Sequence, residues 1–265
     1  TPTLIVTYNT APTVTAASLT ADPAAPCAIG PGRPAVATTT PILHASATDA
    51  EHDPFKLQVE VWPYSGSAAV ATGNTSAYVT SGATASWTVP AGKWTDGAIY
   101  KWHVKAQEQA DVASVWSGWC EFTVDSTKPA APSINSSAYP PGVWAGGTGT
   151  AGSFTLTPGT DPAGPGGTAS GATGVQWTLD NNAPVTTAAN PATVSITPTT
   201  VGPHTLSVVT MDKAGNLSAV PQTPYTFYVG AGGLTSPTPG TRTAGSFTLA
   251  AKVKDATTVQ FQYRR

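Results

Sequence analysis

The chain has 265 residues, with 12 Lys and Arg against 14 Asp and Glu, and only 10% are charged, far below the roughly 25% of an average soluble domain. A formal net charge of -2 leaves no basic stripe for nucleic acid and no polybasic patch for a membrane surface, and no apolar run approaches the ~18 residues of a bilayer span. Gly and Pro number 26 and 25, yet eight Trp, eight Tyr and six Phe at alternating positions supply core that a disordered tail lacks, so the chain is expected to fold.

Residues 1–10 open on TPTLIVTYN, in which Leu4, Val6 and Tyr8 alternate with polar neighbours before Asn9-Thr10-Ala11-Pro12. This pattern predicts one lone strand, read as the closing strand of a preceding module in a larger protein.

A first β-sandwich is expected over 11–125. Pro41–Thr48 alternates, and Phe55–Val61 places Phe55, Leu57, Val59 and Val61 on one face. Ala85–Val89 follows, then Ile99–Ala106 with Tyr100, Trp102, Val104 and Ala106 inward and Lys101, His103 and Lys105 outward, and Cys120–Val124 closes the module. Strands with turns between them and no sustained helical period favour an antiparallel sandwich.

A second sandwich is expected over 126–230, after the proline-stiffened linker Asp125–Pro132. Its strands are marked by Phe154 and Leu156, Trp177 and Leu179, Val194 and Ile196, Leu206 and Val208, and Phe227 and Val229. The hexapeptide Ala151–Leu156 recurs at Ala244–Leu249, and Val175–Leu179 is echoed by Val259–Tyr263, an internal repeat of two strands in order. The first copy carries a longer interval between its strands, in Pro158–Gly174, which is read as a surface loop. Residues 231–265 are expected to be an incomplete third module, with both ends of the chain completed by polypeptide outside it.

Few residues suggest chemistry. His44, His52, His103 and His204 are scattered without H-x-x-x-H or C-x-x-C spacing, no G-x-S-x-G is present, and the acids sit singly in turns, so no catalytic group and no cofactor site is expected. The exception is Asp49-Ala-Glu51-His-Asp53, whose oxygens at i, i+2 and i+4 are candidates for Ca²⁺; three ligands fall short of six to eight, and the competing reading is a turn in which Asp caps its own backbone amides. Trp87 and Trp102 are expected inside. Trp62 is left as the candidate surface aromatic for a sugar or protein partner.

Three passages carry a resemblance. Trp94–Ala106, with a Gly97 turn before Tyr100, resembles the E-to-F passage of fibronectin type III and related Ig-like modules, which implies that Tyr100 occupies the tyrosine-corner position. Ser114–Asp125 is similar to the S-x-W-S...C-x-F-T-V-D ending of fibronectin-like modules in actinobacterial surface and Rhs-type proteins, in which Trp116 and Trp119 stack with cations such as Lys101 and Lys105. Gly202–Ser218 resembles the G-x-H-x-L...D-x-A-G-N-x-S signature of bacterial Ig-like modules, which implies a structural His204 and a turn at Asp212–Gly215; the P-x-L-x-V-x-Y start resembles the last strand of DNRLRE-type domains. The resemblance implies an all-β chain of tandem antiparallel Ig-like or fibronectin III-like sandwiches, extracellular or on the cell surface. It implies a non-catalytic spacer or display segment whose partners are neighbouring domains of its parent, with a protein- or polysaccharide-binding module and an accessory region of a secreted hydrolase as alternatives. In that compartment Cys27 and Cys120, the two cysteines, read as a disulfide, with two inert buried thiols as the alternative.

Overall fold

The structure is a computed structural model describing residues 3, 8–22, 25–221, 224–236, 244–253, 258, 260 and 261. Most of the strand expected at Thr1–Asn9, and most of Val259–Tyr263, lies outside the described residues. All regular elements among those described are β-strands, apart from two three-residue 3-10 turns. The chain divides into two compact units, residues 1–128 with 161–171 and 213–216, and residues 129–160 with 172–212 and 217–265.

The first unit holds β1 (Thr13–Val14), β2 (Thr20–Ala21), β3 (Ala25–Pro26), β4 (Ala35–Val36), β5 (Ile42–Thr48), β6 (Phe55–Pro63), β7 (Ala71–Asn74), β8 (Thr84–Thr88), β9 (Ile99–Glu108) and β10 (Cys120–Val124). In one sheet β5 pairs antiparallel with β1, β2 and β8, and β3 adds to β2; the other sheet runs β4-β10-β9-β6-β7. Period-two alternation sends Leu43, Ala45 and Ala47 from β5, Trp87 from β8, Phe55, Leu57, Val59 and Val61 from β6 and Tyr100, Trp102, Val104 and Ala106 from β9 into one shared core. Burying side chains such as Phe55, Trp102 and Phe122 contributes about 2–3 kcal/mol each. The β6–β9 register sets Phe55 opposite Glu108 and Trp62 opposite Lys101, which decides the two sites below.

The corner before β9 forms as its sequence predicts. Tyr100 Oη accepts the Thr95 N–H at 2.9 Å, and Gly97 turns the chain with φ of +76°, a conformation costly for a residue with a Cβ. Residues 161–171 belong to this same unit, with Gly166 N–H donating to Asp96 O at 2.7 Å and Thr168 N–H to Gly97 O at 3.1 Å. They form the expected surface loop, without regular strand or helix, and two of its backbone amides, those of Gly166 and Thr168, bond the Asp96–Gly97 turn.

The second unit holds β11 (Ser133–Asn135), β12 (Trp144–Ala145), β13 (Gly152–Thr157), β14 (Ala172–Leu179), β15 (Val185–Thr187), β16 (Ala192–Ile196), β17 (Gly202–Asp212), β18 (Tyr225–Val229), β19 (Gly232–Ser236) and β20 (Ala250–Val253). A β11-β13-β16 sheet and a β12-β18-β17-β14-β15 sheet enclose Phe154, Leu156, Val175, Val194, Ile196, Leu206, Val208, Phe227 and Val229. Tyr139 lies in this core, where its Oη donates to Thr150 O at 2.7 Å.

The repeat does not repeat in structure. Phe154 and Leu156 in β13 are fully buried, whereas Phe247 and Leu249 are 54% and 42% exposed in unpaired backbone. Identical hexapeptides part company because β13 is bonded on both sides, by β11 and β16, while the strand after the second copy, β20, pairs only with β19 among the described residues.

Candidate functional site

Three clusters in the first unit gather the polar and aromatic side chains that could act on a ligand. The first lies on the outer face of the β9 sheet. Because β9 alternates, Lys101, His103 and Lys105 point away from the core, and His103 is sandwiched between Trp116 and Trp119, with centroids 4.1 and 3.8 Å away. Lys105 Nζ sits 5.1 Å from the Trp116 ring and Lys101 Nζ 5.0 Å from Trp119, so the cation-interleaved stack forms as the resemblance implied. Rather than standing alone, Trp62 meets Trp119 edge-on at 6.0 Å, has Lys101 at 6.0 Å from its ring, and donates its indole N–H to Glu60 Oε2 at 3.0 Å. The β6–β9 register causes this by placing Trp62 beside Lys101. Glu60 also bonds His103 Nε2 at 3.1 Å, and that bond, with the Trp62 N–H, holds its carboxyl below the usual range despite partial burial.

The second cluster is covalent. Cys27 and Cys120 form a disulfide with Cα atoms 5.0 Å apart, tying the segment before β4 to the first residue of β10. Arg33 Nε reinforces the link at 2.8 Å from Glu121 Oε2, which also accepts the Gly30 N–H at 2.9 Å.

The third cluster lies where the β5–β6 loop meets the end of β9. Asp49 Oδ1 accepts the N–H groups of Glu51 and Asp53 at 2.9 and 3.0 Å, so the amide-capping turn is present. The Asp53 N–H is the main cause that holds the Asp49 carboxyl below its ordinary value. Glu51 leaves the expected acidic triplet: it is exposed and accepts the Thr10 N–H and hydroxyl, the latter at 2.6 Å. In its place stands Glu108, 1% exposed, whose carboxyl is pushed up by burial although Asn9 donates to its Oε2 at 2.7 Å. Ligand oxygens of Asp49, Asp53 and Glu108 lie within 4.8 Å of one another. Glu108 was not among the expected ligands; its signal in the sequence is the alternation of β9, which makes residue 108 the next inward position after Ala106.

The remaining histidines are engaged locally. His44 meets Asp22 and Ser86 at 3.1 and 2.8 Å, and His52 Nδ1 meets Ala50 O at 3.1 Å. In the second unit His204, buried, meets Asp180 and the Thr200 carbonyl at 2.8 and 3.0 Å. Asp212 is buried at the end of β17, and Gly215 has a φ of +88°, as its turn position requires.

No protein-family model matches the chain, and no curated protein sequence matches it. Among solved structures it is similar to the fibronectin(III)-like modules of Clostridium thermocellum CbhA, at 17% identity and a TM-score of 0.45, covering 80% of this chain and 93% of that one. It is also similar to a structure of a 1.5-MDa bacterial ice-binding adhesin, at 15% identity and a TM-score of 0.33 over 84% of this chain and 66% of that one. A Streptomyces avermitilis α-L-rhamnosidase matches at 14% identity and a TM-score of 0.33 over 77% of this chain and 24% of that one. Among the described residues the fold is all-β, built of several sheets that form sandwich-like modules.

Proposed function

We propose that this chain is a non-catalytic spacer and display segment of a larger secreted or cell-surface bacterial protein, of the actinobacterial surface or Rhs-type class its motifs resemble. The observation that supports this reading most directly is the aromatic face of β9. A sugar-binding platform keeps aromatic faces open for stacking, but here Trp116 and Trp119 enclose His103, and lysine ammonium groups sit over their rings. Its chemistry is spent on holding two strands and a loop together. The disulfide supports an oxidising, extracellular compartment, and neighbouring domains of the parent are the partners this role implies.

Two experiments test the proposal. Replacing the segment in its parent by an unrelated pair of sandwiches of equal length is expected to preserve the parent's activity, and loss of activity overturns the spacer reading. Titration with soluble polysaccharides is expected to show no saturable binding. Binding abolished by Trp119→Ala would establish the alternative, a carbohydrate-binding adhesion module.

A further inference from the structure

The geometry points to a Ca²⁺ site in the first unit formed by Asp49, Asp53 and Glu108. Each of the two buried acids uses one oxygen for the protein and leaves the other aimed at the cluster. Asp49 Oδ1 is taken by the turn amides and Glu108 Oε2 by Asn9. Asp49 Oδ2 and Glu108 Oε1 are buried and have no hydrogen-bond partner, in residues 6% and 1% exposed. Two buried carboxylates that find only each other and a third acid are strongly disfavoured unless a bound cation, or a proton shared by Asp49 and Glu108, lies between them.

Several features select the ion. The three ligands are hard oxygens from a loop and a strand end, and half-buried Asp53 leaves a side open for water, so the ligand number can rise toward the six to eight that Ca²⁺ takes. Mg²⁺ demands a tighter octahedron and keeps its waters, and Zn²⁺ wants nitrogen or sulfur, whereas the one ring in this loop, His52, turns its Nδ1 to Ala50 O. The turn that Asp49 caps and the ion site are one device: a single carboxylate sets the loop with one oxygen and offers the other. A dissociation constant of roughly 0.1–1 mM, as in extracellular calcium modules, suits the compartment proposed above.

The rival is a single proton shared by Asp49 and Glu108. Thermal unfolding of the full chain, followed by tryptophan emission after chelation, separates the two at constant ionic strength. With Ca²⁺ raised to about 5 mM, the unfolding temperature of the first unit is expected to rise by roughly 5 °C and to saturate, with Mg²⁺ giving less than half of this. Asp53→Asn and Glu108→Gln are expected to remove the rise. If Glu108→Gln does not fold, Asp53→Asn, at a half-buried position, carries the test alone with the wild-type titration. The proposal is overturned if the wild type shows no saturable rise, if the rise survives Asp53→Asn, or if Glu108→Gln without Ca²⁺ reaches the stability of the wild type with it.

Discussion

Substituting the exposed Cys27 by Ser isolates what the cross-link contributes, because it leaves the fully buried Cys120 in place as a small apolar side chain. The bond closes a loop with a sequence separation of 93, for which the chain-entropy relation gives about 4–5 kcal/mol. The folded segment has other anchors: Cys27 N–H donates to Leu19 O at 2.9 Å, Glu121 N–H to Ala28 O at 3.0 Å, and Arg33 pairs with Glu121. The native fold is therefore expected to persist in the variant, with the loss arising in the unfolded chain. Six tryptophans, Trp62, Trp87, Trp94, Trp102, Trp116 and Trp119, lie in the first unit, so tryptophan emission during urea unfolding reports mainly on it. At a slope of about 1.5 kcal/mol per M, the midpoint should fall by roughly 3 M, with the slope rising because the unfolded chain without the cross-link is less compact. A fall of less than about 0.5 M would refute the reasoning, since it would mean that the bond constrains nothing the reduced unfolded chain explores.

Tyr100→Phe removes the oxygen that accepts the Thr95 N–H and should cost about 1–2 kcal/mol, read as a midpoint shift under the same urea assay. Gly152→Ala should destabilise the second unit by about 1–3 kcal/mol, because a Cβ there overlaps the buried Tyr139 ring; far-UV circular dichroism on heating follows the loss. Glu60 supplies the pH dependence. Its carboxyl is depressed chiefly by the His103 hydrogen bond, so its contribution is complete above the ordinary glutamate value of 4.5 and is lost as pH falls through the lower folded value. Urea midpoints measured from pH 6 down to pH 3 should therefore drop more steeply in the wild type than in Glu60→Gln, and equal slopes would count against the assignment.

Some of this molecule could be read from residue order alone, because alternation of period two is a local property. The inward sets Phe55/Leu57/Val59/Val61 and Tyr100/Trp102/Val104/Ala106 needed only the pleat and the preference of apolar groups for the interior. The turns at Gly97 and Gly215 were legible too, since backbone sterics favour glycine there, while the corner at Tyr100 was legible through the motif's resemblance to fibronectin type III-like modules. The disulfide needed only two cysteines and a compartment.

Other features depended on which strands became neighbours. One hexapeptide lies in a strand that buries Phe154 and Leu156 in its first copy and, at 244–249, leaves Phe247 and Leu249 exposed with no strand partner among the described residues, because pairing is a relation between segments and no segment contains its partner. Trp62 became part of a stack because the β6–β9 register put it beside Lys101, and a shift of one residue would have turned it to the other face. Glu108 stands with Asp49 and Asp53 for the same reason, paired across that register with Phe55, two residues from Asp53. Local sterics and hydrophobic period settled the strands and their faces; long-range register, which depends on every strand in the sheet at once, decided which polar groups would meet.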